Sequence, residues 1–164
     1  MMRKLYFISI MIMTITLTAN EHYLLPEHKS DLIHTLKRKI ERAGVVTIIT
    51  SKLESPGLKK SIEKSLANSG NLHLITTDIT SAAVFSKYKN STVKVPKSKR
   101  LIDSFHLNVI LIDKSDVCFS ALAFDERIWS REIGEVICTT NSEEVDFARH
   151  LKQRFSDRFE DYSR

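Results

Sequence analysis

The chain has 164 residues, of which 42% are hydrophobic and 27% charged, with a formal net charge of +5. That length and balance fit one globular domain with a sizeable core; four glycines, three prolines and no fixed-period repeat exclude low-complexity, collagen-like and solenoid architectures. The positive excess favours polyanions such as nucleic acid or anionic lipid head groups, although solubility alone accounts for a charge of this size.

Arg3 and Lys4 precede a run from Leu5 to Ala19 that is apolar or hydroxylated throughout, after which Asn20, Glu21 and His22 break the hydrophobicity. This is the layout of a secretory signal peptide, and the run is short beside the roughly 20 apolar residues of a membrane span. Residues 1–19 are therefore expected to be a removable signal and residues 20–164 the folded domain. Leu17 is larger than the small residue usual at that point, which leaves an uncleaved signal anchor as the alternative. Export, to a periplasm or to the medium, puts Cys118 and Cys138 where a disulfide persists. Both fall in predicted strands without CxxC spacing, so a bridge and a pair of buried thiols both remain open.

Ser30 is placed to cap a helix whose apolar residues Leu32, Ile33, Leu36 and Ile40 recur at helical spacing until Gly44. Val45 to Ile49 is a β-branched run typical of a strand buried on both faces. Pro56 and Gly57 open a second amphipathic helix with Leu58, Ile62 and Leu66, closed by Gly70-Asn71 before a strand from Leu72 to Thr76. Strand, helix, strand implies a parallel pair with a right-handed crossover. A third helix is predicted over Ser81 to Tyr88. From Lys87 to Arg100 the basic residues Lys87, Lys89, Lys94, Lys97, Lys99 and Arg100 occur with no acid among them, which places an expected anion-binding face in the middle of the chain. Three strands follow, Leu107 to Ile112, Val117 to Leu122 and Glu135 to Thr139, then a helix from about Ser142 carrying Val145, Phe147, Leu151 and Phe155. The fold class expected is α/β, a mixed β-sheet flanked by helices.

The segment that invites chemistry is His106-Leu107-Asn108-Val109-Ile110-Leu111-Ile112-Asp113, in which a histidine opens a strand and an aspartate closes it. Alternation puts His106, Asn108 and Ile110 on one face. A histidine and an asparagine there require partners or a solvent-facing pocket, because an unsatisfied buried polar group costs about 1 to 3 kcal/mol. By itself such a pair is more often structural than catalytic.

With the residues that follow, the segment resembles the phospholipase D superfamily, whose signature HxKxxxxD lies on a strand and is followed by a second strand ending near GSxN and then an acid. Here the motif reads HxNxxxxD, Ser120, Ala121 and Ala123 stand where Gly, Ser and Asn are expected, and Glu132 matches the acid. The resemblance covers nearly all of residues 20–164 and implies a phospholipase D-like half-domain of the single-motif, nuclease-like branch. In that family one histidine attacks phosphorus and its symmetry mate protonates the leaving oxygen. Carried over, His106 is nucleophile or acid, Glu132 orients its ring, Asp113 holds the third motif position and Asn108 replaces the phosphate-binding lysine. One lost donor of this kind typically costs about 2.7 to 4 kcal/mol of transition-state stabilisation, and the missing Ser and Asn add to the loss. Lys97, Lys99 and Arg100, just ahead of His106, are the candidate replacements for phosphate binding.

A single motif implies a homodimer with the two histidines facing each other across a two-fold axis. The resemblance implies no metal or other cofactor. The expected function is an exported, impaired phosphodiesterase acting on single-stranded nucleic acid or another phosphodiester; the alternative is a non-catalytic protein that binds nucleic acid or another polyanion. A structural envelope protein carrying a relic motif is the third reading. Salt separates the last two, since phosphate-driven binding weakens steeply as salt rises.

Overall fold

The computed structural model describes residues 20–162, so the expected signal segment lies outside the described residues. Among the described residues, eight strands and six helices follow in the order β1 (Glu21–Leu25), α1 (Lys29–Arg42), β2 (Val45–Thr50), α2 (Pro56–Ala67), β3 (Asn71–Thr76), α3 (Ile79–Phe85), β4 (Ser91–Pro96), α4 (Lys99–Asp103), β5 (Asn108–Ile112), β6 (Asp116–Ser120), α5 (Glu126–Trp129), β7 (Gly134–Thr139), α6 (Ser142–Ser156) and β8 (Phe159–Asp161). The strands form one sheet in the order β1-β7-β6-β5-β2-β3-β4-β8. β2, β3 and β4 are parallel, and every other pairing is antiparallel. This is the mixed α/β sheet that the periodicity predicts.

Local chemistry sets most of the boundaries. Ser55 caps α2 by accepting from Leu58 N at 3.2 Å, with Pro56 in the first turn where its missing N–H costs nothing. The α2–β3 turn needs Gly70, since a Cβ there would lie 2.3 Å from Ser65 Oγ and 2.8 Å from Ser65 O. At α1 the expected cap is corrected. The helix begins at Lys29, with His28 ahead of it, and the His28 ring accepts from Leu24 N at 3.1 Å, so Ser30 sits inside the first turn.

The basic segment also differs from expectation, because it contains β4. A six-residue strand separates its ends by about 20 Å at 3.3 Å per residue. Lys87 and Lys89 therefore precede β4 at one edge of the sheet, Lys97, Lys99 and Arg100 follow it at the other, and Lys94 between them pairs with Asp161 at 3.2 Å. The single anion-binding face expected from Lys87 to Arg100 is thus divided. β1, β8 and α5 are further elements that periodicity missed, each only three to five residues long.

Alternation along the strands divides the core in two. On one face Val46, Ile48, Leu72, Leu74, Ile110 and Ile112 pack under α1, α2, α3 and α5, with Leu32, Leu36, Ile40, Leu58, Ile62, Phe85 and Trp129 buried among them. Each such side chain contributes about 1.5–3 kcal/mol on burial. On the other face Ile49, Ile75, Val109, Leu111 and Val117 meet Val145 and Ala148 of α6. Cys118 and Cys138 lie directly opposite each other on β6 and β7 and form a disulfide within the first core.

Candidate functional site

β2, β3 and β4 all finish at one edge of the sheet, where β5 begins and β6 ends. At this upper edge the first-core face changes from aliphatic to polar, through Thr50, Thr76, Asn108 and Ser120. Outside that layer, the loops after β2 and β6 run side by side, joined by a bridge between Leu53 and Phe124.

His106 stands exposed on this edge, and its imidazole makes no hydrogen bond among the described residues. Its backbone is fixed from both sides. Phe105 is buried in the second core, its ring centroid 5.3 Å from those of both Phe155 and Phe159. Asn108, two residues on, is buried, and its Oδ1 accepts from Thr50 Oγ1 at 2.8 Å and from Ser51 N at 3.4 Å. Asn108 thereby ties β5 to the end of β2, with its Nδ2 3.5 Å from the carbonyl of His106. A buried amide satisfied in this way has little left to offer an incoming phosphate.

Two residues proposed for catalysis are not brought to His106. Asp113 ends β5 at the opposite edge, five residues from Asn108, or about 17 Å along an extended strand. Its Oδ1 accepts from Gly44 N and Val45 N, both at 2.9 Å, and it adopts φ 53°, a conformation that Asp tolerates better than most residues. Asp113 therefore fastens the start of β2. Glu132 is exposed in the turn after α5, where its N–H donates to Ile128 O at 2.9 Å, and its carboxylate makes no bond to His106.

Lys97, Lys99 and Arg100 reach the upper edge, Lys97 at the end of β4 and the other two on α4, which leads back toward β5. All three are exposed, and Lys97 Nζ lies 3.4 Å from Asp157 O. Ser120 Oγ donates to Leu122 O at 2.6 Å and accepts from Leu122 N at 3.2 Å, so its hydroxyl is spent on its own turn.

A charged cluster that sequence reasoning missed lies on the paired loops. Lys52 Nζ is 3.1 Å from Asp125 Oδ2 and 3.3 Å from Glu54 Oε2, while Arg127 pairs with both Asp125 and Glu54. Burial pushes the Asp125 carboxyl up, but the Arg127 N–H and the Lys52 and Arg127 side chains outweigh it and hold Asp125 below its ordinary value. Hydrogen bonds to Asp125 and Glu54 raise Lys52, keeping its ammonium charged. The signal was present as two spaced pairs, Lys52-x-Glu54 and Asp125-x-Arg127, which only the loop bridge joins. Lys52 is thus a cation on the Asn108 side of the edge, already balanced by two carboxylates. Among the described residues, no three His, Cys, Asp or Glu side chains converge to hold a metal ion.

A mixed eight-stranded sheet of this order flanked by helices is a phospholipase D-type fold. Solved structures carry that assignment. NucT from Helicobacter pylori superposes with a TM-score of 0.79 at 15% identity, over 88% of this chain and 99% of its own. Nuc from Salmonella typhimurium, described as a phospholipase D family member, gives 0.73 at 11% identity over 90% and 99%. Phosphatidylserine synthase from Haemophilus influenzae gives 0.72 at 10% identity over 90% of this chain but 40% of its own. No family model matches the chain, and no curated protein matches it in sequence.

Proposed function

We propose that this chain is an exported, nuclease-like phosphodiesterase of reduced efficiency, which works as a homodimer with His106 of each copy facing the other. The observation that carries the reading is the exposed, unbonded His106 imidazole, held between buried Phe105 and buried Asn108 at the upper edge. One imidazole attacks phosphorus and the P–O bond breaks, with the leaving oxygen taking a proton from the second imidazole. That second ring then deprotonates water, which attacks phosphorus as the P–N bond breaks. Ile79, Ile102 and Ile133, all exposed, sit on segments that emerge at this same edge, where a second copy would cover them. The disulfide fits an oxidising compartment, and among the described residues no helix is long and apolar enough to cross a membrane.

Reduced efficiency follows from the satisfied Asn108 amide, the Ser120 hydroxyl turned to its own backbone, and alanine at positions 121 and 123. Lys99 and Arg100 on α4 are the cations free to approach a phosphate. The same features favour a second reading, a polyanion-binding protein with a retired site. Cleavage of labelled single-stranded DNA and of a chromogenic phosphodiester in EDTA separates them. Turnover that His106→Ala abolishes and Asn108→Lys raises at least tenfold is expected. Salt-sensitive DNA binding with no turnover in the native chain or in Asn108→Lys would establish the second reading.

A further inference from the structure

The first-core face of the sheet is covered by four helices, whereas α6 is the main cover of the other. A helix is about 10–12 Å across and an eight-stranded sheet about 34 Å wide at 4.8 Å per strand, so one helix spans only part of that face. Beside α6, at the lower ends of β2, β3 and β5 and away from His106, Val45 and His73 stay partly exposed, while Thr47 and Leu111 are nearly covered. An open groove of about 710 Å³ forms there between Val45, Thr47 and Leu111 on the sheet, Asp113, Lys114 and Ser115 on the turn, and Arg149, Lys152 and Gln153 on α6. Lys152 also lines an adjoining cavity of about 210 Å³ that contains His73, Thr92 and Lys94. The larger groove lies within the range of about 300–1,000 Å³ usual for small-molecule sites.

The charge in this groove is one-sided. Lys152 is half-buried and has no ion pair or hydrogen bond among the described residues, and the same holds for the neighbouring His73 ring. Arg149 keeps partners in Asp146 and the Lys114 carbonyl, and Lys94 is paired with Asp161. The lone lining carboxylate, Asp113, has one oxygen occupied by two backbone amides. Burial lowers Lys152, and burial together with Lys152 lowers His73, as expected where cations have been desolvated without an anion. Val45 and Leu111 are the apolar residues on the sheet side, and among the described residues no aromatic ring lines the larger groove; a nucleobase would find no stacking platform there.

We propose that this groove binds a single-tailed anionic amphiphile, with the alkyl chain on Val45 and Leu111 and a carboxylate or phosphate head group on Lys152, flanked by Arg149 and Lys114. The site is separate from the His106 edge and does not depend on catalysis there. Isothermal titration of the purified protein with dodecanoate and dodecyl phosphate, each below its micelle concentration, tests it, with 5′-AMP and dodecyltrimethylammonium as comparisons. Saturable one-site binding of at least one dodecyl anion is expected, and the stronger of the two identifies the head group. Lys152→Met, which keeps the apolar stem, weakens that binding at least tenfold, and Val45→Trp, which fills the groove, abolishes it. His106→Ala leaves it unchanged. The proposal is overturned by absence of one-site binding for both anions, by unchanged affinity in a folded Lys152→Met, or by 5′-AMP or the cationic amphiphile binding more tightly than either anion.

Discussion

Removal of the Cys118–Cys138 bridge gives a stability change whose size follows from chain position. The two residues are 20 apart in sequence and directly opposite on β6 and β7. Loop-closure entropy for a ring of that length corresponds to about 3 kcal/mol at 25 °C. At about 2–4 °C per kcal/mol for a domain of this size, the midpoint should fall by about 6–12 °C. Both sulfurs lie in the buried first core, so Cys118→Ala with Cys138→Ala adds a small packing loss to the entropic one. Thermal unfolding followed by circular dichroism, with and without reductant, on the native chain and the double variant measures this. The native chain should lose stability on reduction and the double variant should not respond. A native midpoint unchanged after thiol titration has counted two free cysteines would mean that the bridge does not constrain the unfolded chain.

Other outcomes follow from the same geometry. Asp113→Ala removes the acceptor for two solvent-exposed backbone amides and puts alanine at φ 53°, which should cost about 1–3 kcal/mol; Asp113→Asn should cost less, and neither should change turnover per folded molecule, as urea titration and the cleavage assay will show. Thr50→Val deprives buried Asn108 of its hydroxyl donor and should destabilise by about 1–3 kcal/mol in the same titration. His73, lowered by burial and by Lys152 from an ordinary value of 6.5, resists protonation in the fold. Its contribution is therefore complete above 6.5 and declines as pH falls from there toward the lower folded value. Asp125, also lowered, loses its contribution only as pH falls below its ordinary 3.8. Urea midpoints between pH 7.5 and 5 should fall in the native chain and stay flatter in His73→Gln.

The fold was legible where patterns were long. The β-branched run of β2, the helical spacing of Leu32, Leu36 and Ile40, and the Pro56-Gly57 start of α2 each determine an element locally. β4 was not, because Lys94 and Pro96 interrupt its apolar pattern and its edge partner β8 is three residues long. At the site, the strand running to Ile112 and the shared face of Asn108 and Ile110 were readable from alternation, whereas His106 precedes β5 and is exposed. The destination of Asp113 was not, since its partners Gly44 and Val45 lie 69 and 68 residues away. The Lys52, Glu54, Asp125 and Arg127 cluster was hidden for the same reason, as it exists only where Leu53 meets Phe124 across the fold.

The most direct test of His106 as the attacking group is to trap it on phosphorus. The purified chain, mixed in EDTA with an oligonucleotide labelled so that the label stays on the attacked phosphoryl, is quenched in alkali and digested for mass spectrometry. An acid-labile phosphoramidate is expected on the peptide carrying His106 and none in His106→Ala. Turnover with the label on another residue, or no adduct and no turnover even in Asn108→Lys, would contradict His106 as the attacking group.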